Sequence, residues 1–182
     1  DALVPKVEVT QLAPEDLSIQ IRELSAVDGN ISLAEVMVIC RLICLKNPMK
    51  VFEIGTFDGR TTLNMACNSS PDAEIYTLDL PKEKARSTYL EMASMEEKYA
   101  DKEISGERFL GKGLEGKINQ LYGDSAVFDF SEFYNRMDFV FIDGSHSYEY
   151  VLNDTKQAMR LLRNGKGIIL WHDYDTPYWK GV

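Results

Sequence analysis

Positive charge is the scarce commodity in this chain. Its 182 residues carry 20 Lys and Arg against 29 Asp and Glu, a net charge of -9. Such a surface repels phosphate backbones and argues against nucleic acid as a main partner. Long apolar runs are also missing: no stretch is long enough to span a bilayer, and no signal-peptide pattern is visible. Cysteine is sparse, with only Cys40, Cys44 and Cys67. That is too few for a disulfide framework and fits a reducing, cytoplasmic setting. Cys40 and Cys44 share a helical face without further ligands nearby, so they read as buried core thiols. Histidine occurs twice, at His146 and His172. Repeats are absent, and nothing marks a second large domain. The chain opens on Asp1 and closes on Trp179–Val182 without a stop signal, as expected of a piece of something longer.

The composition that is present, 45% hydrophobic and 27% charged, is that of an ordinary globular domain with a sizeable core. The most informative stretch is Val51–Thr62, VFEIGTFDGRTT. Apolar β-type residues run into Glu53, turn through Gly55 and Gly59, and enter a helical pattern at Thr61. A strand, a glycine turn and a helix in that order open a nucleotide-binding α/β sheet.

The rest of the chain repeats the alternation. Residues 1–30 read as an extended arm to residue 14, then a helix starting at Pro14 and running to about Val27. Ser32–Glu35 is a capping box that starts the next helix. Further strands are predicted at Glu74–Leu78, Lys117–Tyr122, Asp138–Asp143 and Gly167–Trp171. Helices are predicted at Lys82–Ala100, as an exposed amphipathic element, and at Ser147–Arg163. Gly111–Gly116 matches G-x-G-x-x-G by letter but leads into a strand rather than a helix, so it reads as loop. The fold class is therefore α/β, a doubly wound, mainly parallel Rossmann-like sheet of five strands with helices on both faces. Ligands of such sheets sit beyond the carboxyl ends of the strands.

Those ends carry the candidate chemistry. Asp79, 26 positions after Glu53, suits a carboxylate that accepts two ribose hydroxyls. Asp58, inside the glycine turn, would set a negative charge against the phosphates of a dinucleotide, and so favours a cofactor without phosphate and with a cationic centre, such as S-adenosylmethionine. Asp143 and His146 follow the fourth strand; His172 and Asp173 end the fifth. Asp143 and Asp173 could hold a hard divalent ion such as Mg²⁺. His172 could be a third ligand, and its nitrogen would better suit a transition metal. His146 could act as a general base. Asp124 and Ser125 form a turn that could meet an adenine edge.

The ordered set Glu53–Thr61, Leu78-Asp79, Gly123–Ser125, Phe141–Tyr148 and Trp171–Tyr174 resembles the class I S-adenosylmethionine-dependent methyltransferases, most closely a bacterial small-molecule O-methyltransferase group. The resemblance implies a cofactor-binding set of Glu53, Gly55, Thr56, Phe57, Gly59, Thr61, Asp79, Leu80, Asp124, Ser125 and Asp143. It also implies catalytic roles for His146, as base, and Asp143, and metal-binding acids at Asp143 and Asp173 for Mg²⁺ or another divalent cation; His172, the third candidate metal ligand from the residues themselves, departs from the family's usual acid or amide at that place. Residues 31–182 would be the cofactor-binding domain, lacking the family's last strand pair. The implied activity is methylation of a small-molecule hydroxyl, in a protein that could self-associate. An NAD(P)-linked oxidoreductase and a non-catalytic interaction domain are the competing readings.

Overall fold

The computed structural model describes residues 6–12, 16–93, 95–174, 176–179 and 181–182. Five strands form one all-parallel sheet: β1 (Lys50–Ile54), β2 (Glu74–Asp79), β3 (Ile118–Tyr122), β4 (Phe139–Ile142) and β5 (Ile168–Trp171), in the order β3-β2-β1-β4-β5. The five sequence-predicted strands are these five, displaced by a residue or two at their ends. Around them run the short α1 (Val9–Leu12), then α2 (Leu33–Lys46), α3 (Arg60–Asn68), the single turn α4 (Glu97–Ala100) and α5 (Tyr148–Leu161). No helix among the described residues is long and apolar enough to cross a membrane.

Strand alternation sorts the core into two layers, because successive side chains leave opposite faces of the pleat. Val51, Ile75, Ile118, Phe139 and Phe141 point to one face and pack with α2 and α3 through Ile39, Ile43, Leu63 and Met65. Phe52, Ile54, Leu78, Val140 and Ile142 point to the other, under Phe130, Phe133, Met137 and the α5 residues Ala158 and Leu161. Both faces of β4 are fully buried, which is why it reads as an unbroken apolar run.

Local chemistry sets the helix starts. Ser32 and Glu35 complete a reciprocal capping box on α2, and the Ser147 side chain caps α5. Asn47 ends α2 in the left-handed conformation. At β1, Gly55 turns the chain at φ +98° and Gly59 follows at φ +83°, a region open to glycine at little cost.

Two predicted helices are not formed. The helix placed from Pro14 to Val27 begins outside the described residues, and residues 17–27 form neither helix nor strand, with Glu23 at φ +53°. Leu17, Ile19, Ile21 and Glu23 turn inward at period two, and the side chains of Asn64 and Asn68 on α3 bond the backbone of Arg22 and Gln20 as a neighbouring strand would. Arg60, 1% exposed, clamps the same segment through the carbonyls of Glu23, Leu24 and Ile31. The helix expected over Lys82–Ala100 is reduced to one 3₁₀ turn at its start and to α4 at its end. Between them, the Tyr89 N–H donates to Asp124 and the Ala93 N–H to Glu96, so tertiary acceptors replace helical ones. Gly111–Gly116 lies in turns with open space around Gly111 and Gly113, as its reading as loop requires.

Candidate active site

The parallel ladders carry their hydrogen bonds past the strand ends. Gly55 N–H donates to Leu78, Asp143 N–H to Ile54, His172 N–H to Ile142 and Gly123 N–H to Asp79, at 2.8–3.0 Å. The loops that follow β1, β2, β3, β4 and β5 are therefore fixed along one edge of the sheet. They enclose a cavity of about 290 Å³ at the carboxyl ends. β1 and β4 are adjacent there although two strands separate them in sequence, so the cavity straddles the point where strand order reverses.

One half of the cavity belongs to β1, β2 and β3. Gly55, Phe57, Asp79, Leu80, Asp124 and Ser125, all named as cofactor candidates from the sequence, line it. Asp79 is 6% exposed. Its Oδ2 accepts from the Ser105 hydroxyl and pairs with Lys102 Nζ at 2.8 Å, while Oδ1 has only a long 3.4 Å contact from Phe57 N. Asp124 is more heavily committed: it accepts from Tyr89 N (2.7 Å), Ala126 N (2.9 Å) and the Tyr150 hydroxyl (2.8 Å). Burial, and then Asp124, push the Tyr150 phenol up.

Glu53, Thr56, Gly59 and Thr61 do not line the cavity. Glu53 lies behind its wall, fully buried. Gln120 donates to Thr56 (3.0 Å), and the Thr56 and Thr77 hydroxyls meet at 2.6 Å. Thr77 donates to Glu53 (2.6 Å), as does Thr62. The other oxygen of Glu53 has no partner among the described residues. Burial dominates and pushes its carboxyl up to about 8, against the two threonine donors.

Asp58 corrects one strand of the sequence argument. Its charge does not face the cavity: Oδ1 accepts from Arg60 N and Asn30 Nδ2, each at 3.0 Å, and Oδ2 pairs with Arg108 Nε at 2.8 Å. A neutralised carboxylate turned toward the start of α3 repels no phosphate, so Asp58 does not discriminate between cofactors.

The other half of the cavity belongs to β4 and β5. Asp143, His146, His172 and Asp173 converge, with one ligand atom from each lying within 4.8 Å of the others. His146 Nε2 is 2.8 Å from Asp173 Oδ2 and 3.9 Å from Asp143 Oδ1. His172 Nδ1 is 3.0 Å from Asp173 Oδ2 and 3.1 Å from Asp143 Oδ1. At those distances it still makes no aligned hydrogen bond. These four side chains are a group whose ligand atoms lie close enough together to share a cation.

Two acids that the sequence reading did not place here complete the cluster. Glu35, from the capping box of α2, meets His172 Nε2 at 3.2 Å. Glu96 meets His146 Nδ1 at 2.5 Å. Burial opposes charge on both rings, but the surrounding carboxylates prevail. His146, beside Asp173 and Glu96, is held up to about 9; His172, beside Asp143, Asp173 and Glu35, is held up to about 12. Glu35 falls to about 2, chiefly through its bond to His172. The capping box announced Glu35 only as a helix start; nothing in the sequence around Glu96 marked it. Trp179 lies parallel to the His146 ring, with centroids 4.7 Å apart.

Comparison with known proteins narrows the fold. A family model described as a methyltransferase domain matches residues 52–174. No curated protein sequence matches. Among solved structures, the chain is similar to the SAH-bound methyltransferase PaMTH1 of Podospora anserina (21% identity, TM-score 0.56, covering 80% of this chain and 54% of that one). It is similar to the O-methyltransferase TomG of Streptomyces achromogenes, solved with SAM (20%, TM-score 0.58, 96% and 73%). It is also similar to an O-methyltransferase of Bacillus cereus in complex with SAH (21%, TM-score 0.54, 88% and 64%). The chain spans about half the length of the first of these.

Proposed function

The chain belongs to the methyltransferase-domain family, and from that premise we propose that it transfers a methyl group from S-adenosylmethionine to a hydroxyl of a small molecule, with a divalent cation assisting. One observation carries the reading: a single cavity joins an acidic, glycine-turned cofactor half to a separate cluster of two carboxylates and two imidazoles.

In the cofactor half, Asp79 accepts the ribose hydroxyls through Oδ1, the oxygen that Ser105 and Lys102 leave open. A carboxylate has about four acceptor sites, so both sets of partners fit. Gly55 lets the backbone come close to the ligand. Ser125 and Leu80 flank the adenine, while Asp124, already holding three donors, shapes the loop around it. When bound, S-adenosylmethionine supplies a methyl carbon on a cationic sulfur; as the new C–O bond forms, the C–S bond breaks and sulfur keeps the electron pair.

In the reaction half, Asp143, Asp173 and His172 would hold a divalent cation, a reading supported by the convergence of their ligand atoms with that of His146 within 4.8 Å. A cation held there would lower the acceptor hydroxyl's pKa and take up the carboxylate charge that keeps both imidazoles protonated. His146 Nε2 receives the hydroxyl proton. Alignment of oxygen, methyl and sulfur accounts for the rest of the acceleration.

The test is calorimetric titration of the chain with S-adenosylhomocysteine and, separately, with NAD. Micromolar binding of the first and none of the second is expected. Binding of NAD alone sinks the proposal.

A further inference from the structure

Glu96 is the most heavily bonded carboxylate in the cavity wall, and no role has been assigned to it above. It is 5% exposed and comes from the irregular stretch before α4, not from a strand end. Four donors converge on it. Oε2 accepts from Ala93 N (2.9 Å) and Ser145 Oγ (2.6 Å). Oε1 accepts from His146 N (2.7 Å) and faces His146 Nδ1 (2.5 Å). One side chain thus holds both the backbone and the ring of His146, and ties down the residue before it.

The rest of the ring's surroundings leave it one orientation. Trp179 covers a face. Nε2 points toward Asp173 and Asp143. A histidine without a second partner can rotate its ring by half a turn and can carry its proton on either nitrogen. A carboxylate accepting at Nδ1 removes both freedoms, as the orienting acid of a catalytic triad does.

We propose that Glu96 is a positioning residue that holds the His146 ring by accepting from Nδ1 and so keeps Nε2 turned toward the side where the acceptor hydroxyl would lie. This rests on the reading of His146 as the base. Proton transfer then follows a single path: the hydroxyl proton arrives on Nε2, the Nδ1 proton stays with Glu96, and no proton passes to Glu96 itself.

The experiment is a long-range ¹H–¹⁵N spectrum of the ¹⁵N-labelled chain. Only two histidines contribute, and His146→Ala assigns the pair. The wild-type chain is expected to show a His146 Nδ1 proton exchanging with water at least about tenfold more slowly than in a free imidazole. Glu96→Gln is expected to abolish that protection while the affinity for S-adenosylhomocysteine stays within about twofold. Ser145→Ala, which removes a different donor to Glu96, is expected to keep the signal. An unprotected Nδ1 in the wild-type chain, persistence of the signal in Glu96→Gln, or its loss in Ser145→Ala overturns the assignment. Failure of the wild-type chain to bind S-adenosylhomocysteine would instead strike the methyl-transfer reading and leave the spectroscopic result standing.

Discussion

Gly55 and Asp143 meet backbone to backbone: a Cβ on Gly55 would stand 2.0 Å from the Asp143 carbonyl oxygen. The turn that opens the cofactor half and the acid that opens the reaction half are thereby set at one fixed separation. Gly55→Ala meets this wall and an unfavourable φ of +98° together. It is expected to lower stability by roughly 3 kcal/mol or more, read as a fall in the urea midpoint. A midpoint like that of the wild-type chain would mean that the two loops are not in contact.

Asp79 offers a sharper test of the cofactor half. Asp79→Ala removes a carboxylate oxygen beside the cavity, Oδ1, that holds only a long 3.4 Å contact from Phe57 N among the described residues. The affinity for S-adenosylhomocysteine is expected to fall about tenfold or more, equivalent to about 1.4 kcal/mol. Unchanged affinity by calorimetry would take Asp79 out of the ribose site.

The strand-end cluster makes a statement about metals that needs no acceptor. A nitrogen ligand from His172 beside the oxygens of Asp143 and Asp173 favours Mn²⁺ over Mg²⁺. Titration with each ion is expected to show that order. Asp143→Asn or Asp173→Asn should weaken Mn²⁺ binding at least about tenfold, and His172→Ala should narrow the gap between the two ions. Equal binding in all variants would refute a cation site there.

Glu53 predicts a pH dependence of stability. Its folded pKa, about 8, lies above the ordinary 4.5, so the folded state holds this proton more tightly than the unfolded one. The associated stability is complete below about 4.5 and is lost as pH rises through about 8. Glu53→Gln removes the titration while keeping the shape. The variant should therefore gain on the wild-type chain as pH increases across that window, by a few kcal/mol in total. Parallel urea midpoints at pH 5 and pH 8 would show that Glu53 is charged throughout.

Much of this was legible because it was local. The strand β4 could be read from Phe-Val-Phe-Ile, and α5 from its helical spacing, although Tyr148, Leu152 and Met159, expected on its apolar face, are exposed and Tyr150, Asp154, Ala158 and Leu161 are the buried ones. The order of acids and histidines at the strand ends located both halves of the cavity. What escaped notice depends on partners far away in sequence. Leu17, Ile19 and Ile21 recur at period two, a pattern a helix does not need, but Pro14 and two acids imitate a helix start, and the partners that hold the non-helical form, Arg60, Asn64 and Asn68, lie far away in sequence. Glu96 sits among six neighbouring charged residues between 91 and 103, so its burial could not be inferred without Ser145 and His146 beside it. Asp58 had the right type and the wrong direction, because Arg108, 50 positions later, claims it.

Glu35 closes the helix-capping box with Ser32 and also grips His172. A substitution at this position would therefore disturb two things at once, the beginning of a helix and the setting of an imidazole. Neither requirement can drift without the other. Among descendants of this chain, position 35 should vary only in step with position 172, while ordinary capping glutamates elsewhere exchange freely with glutamine or aspartate.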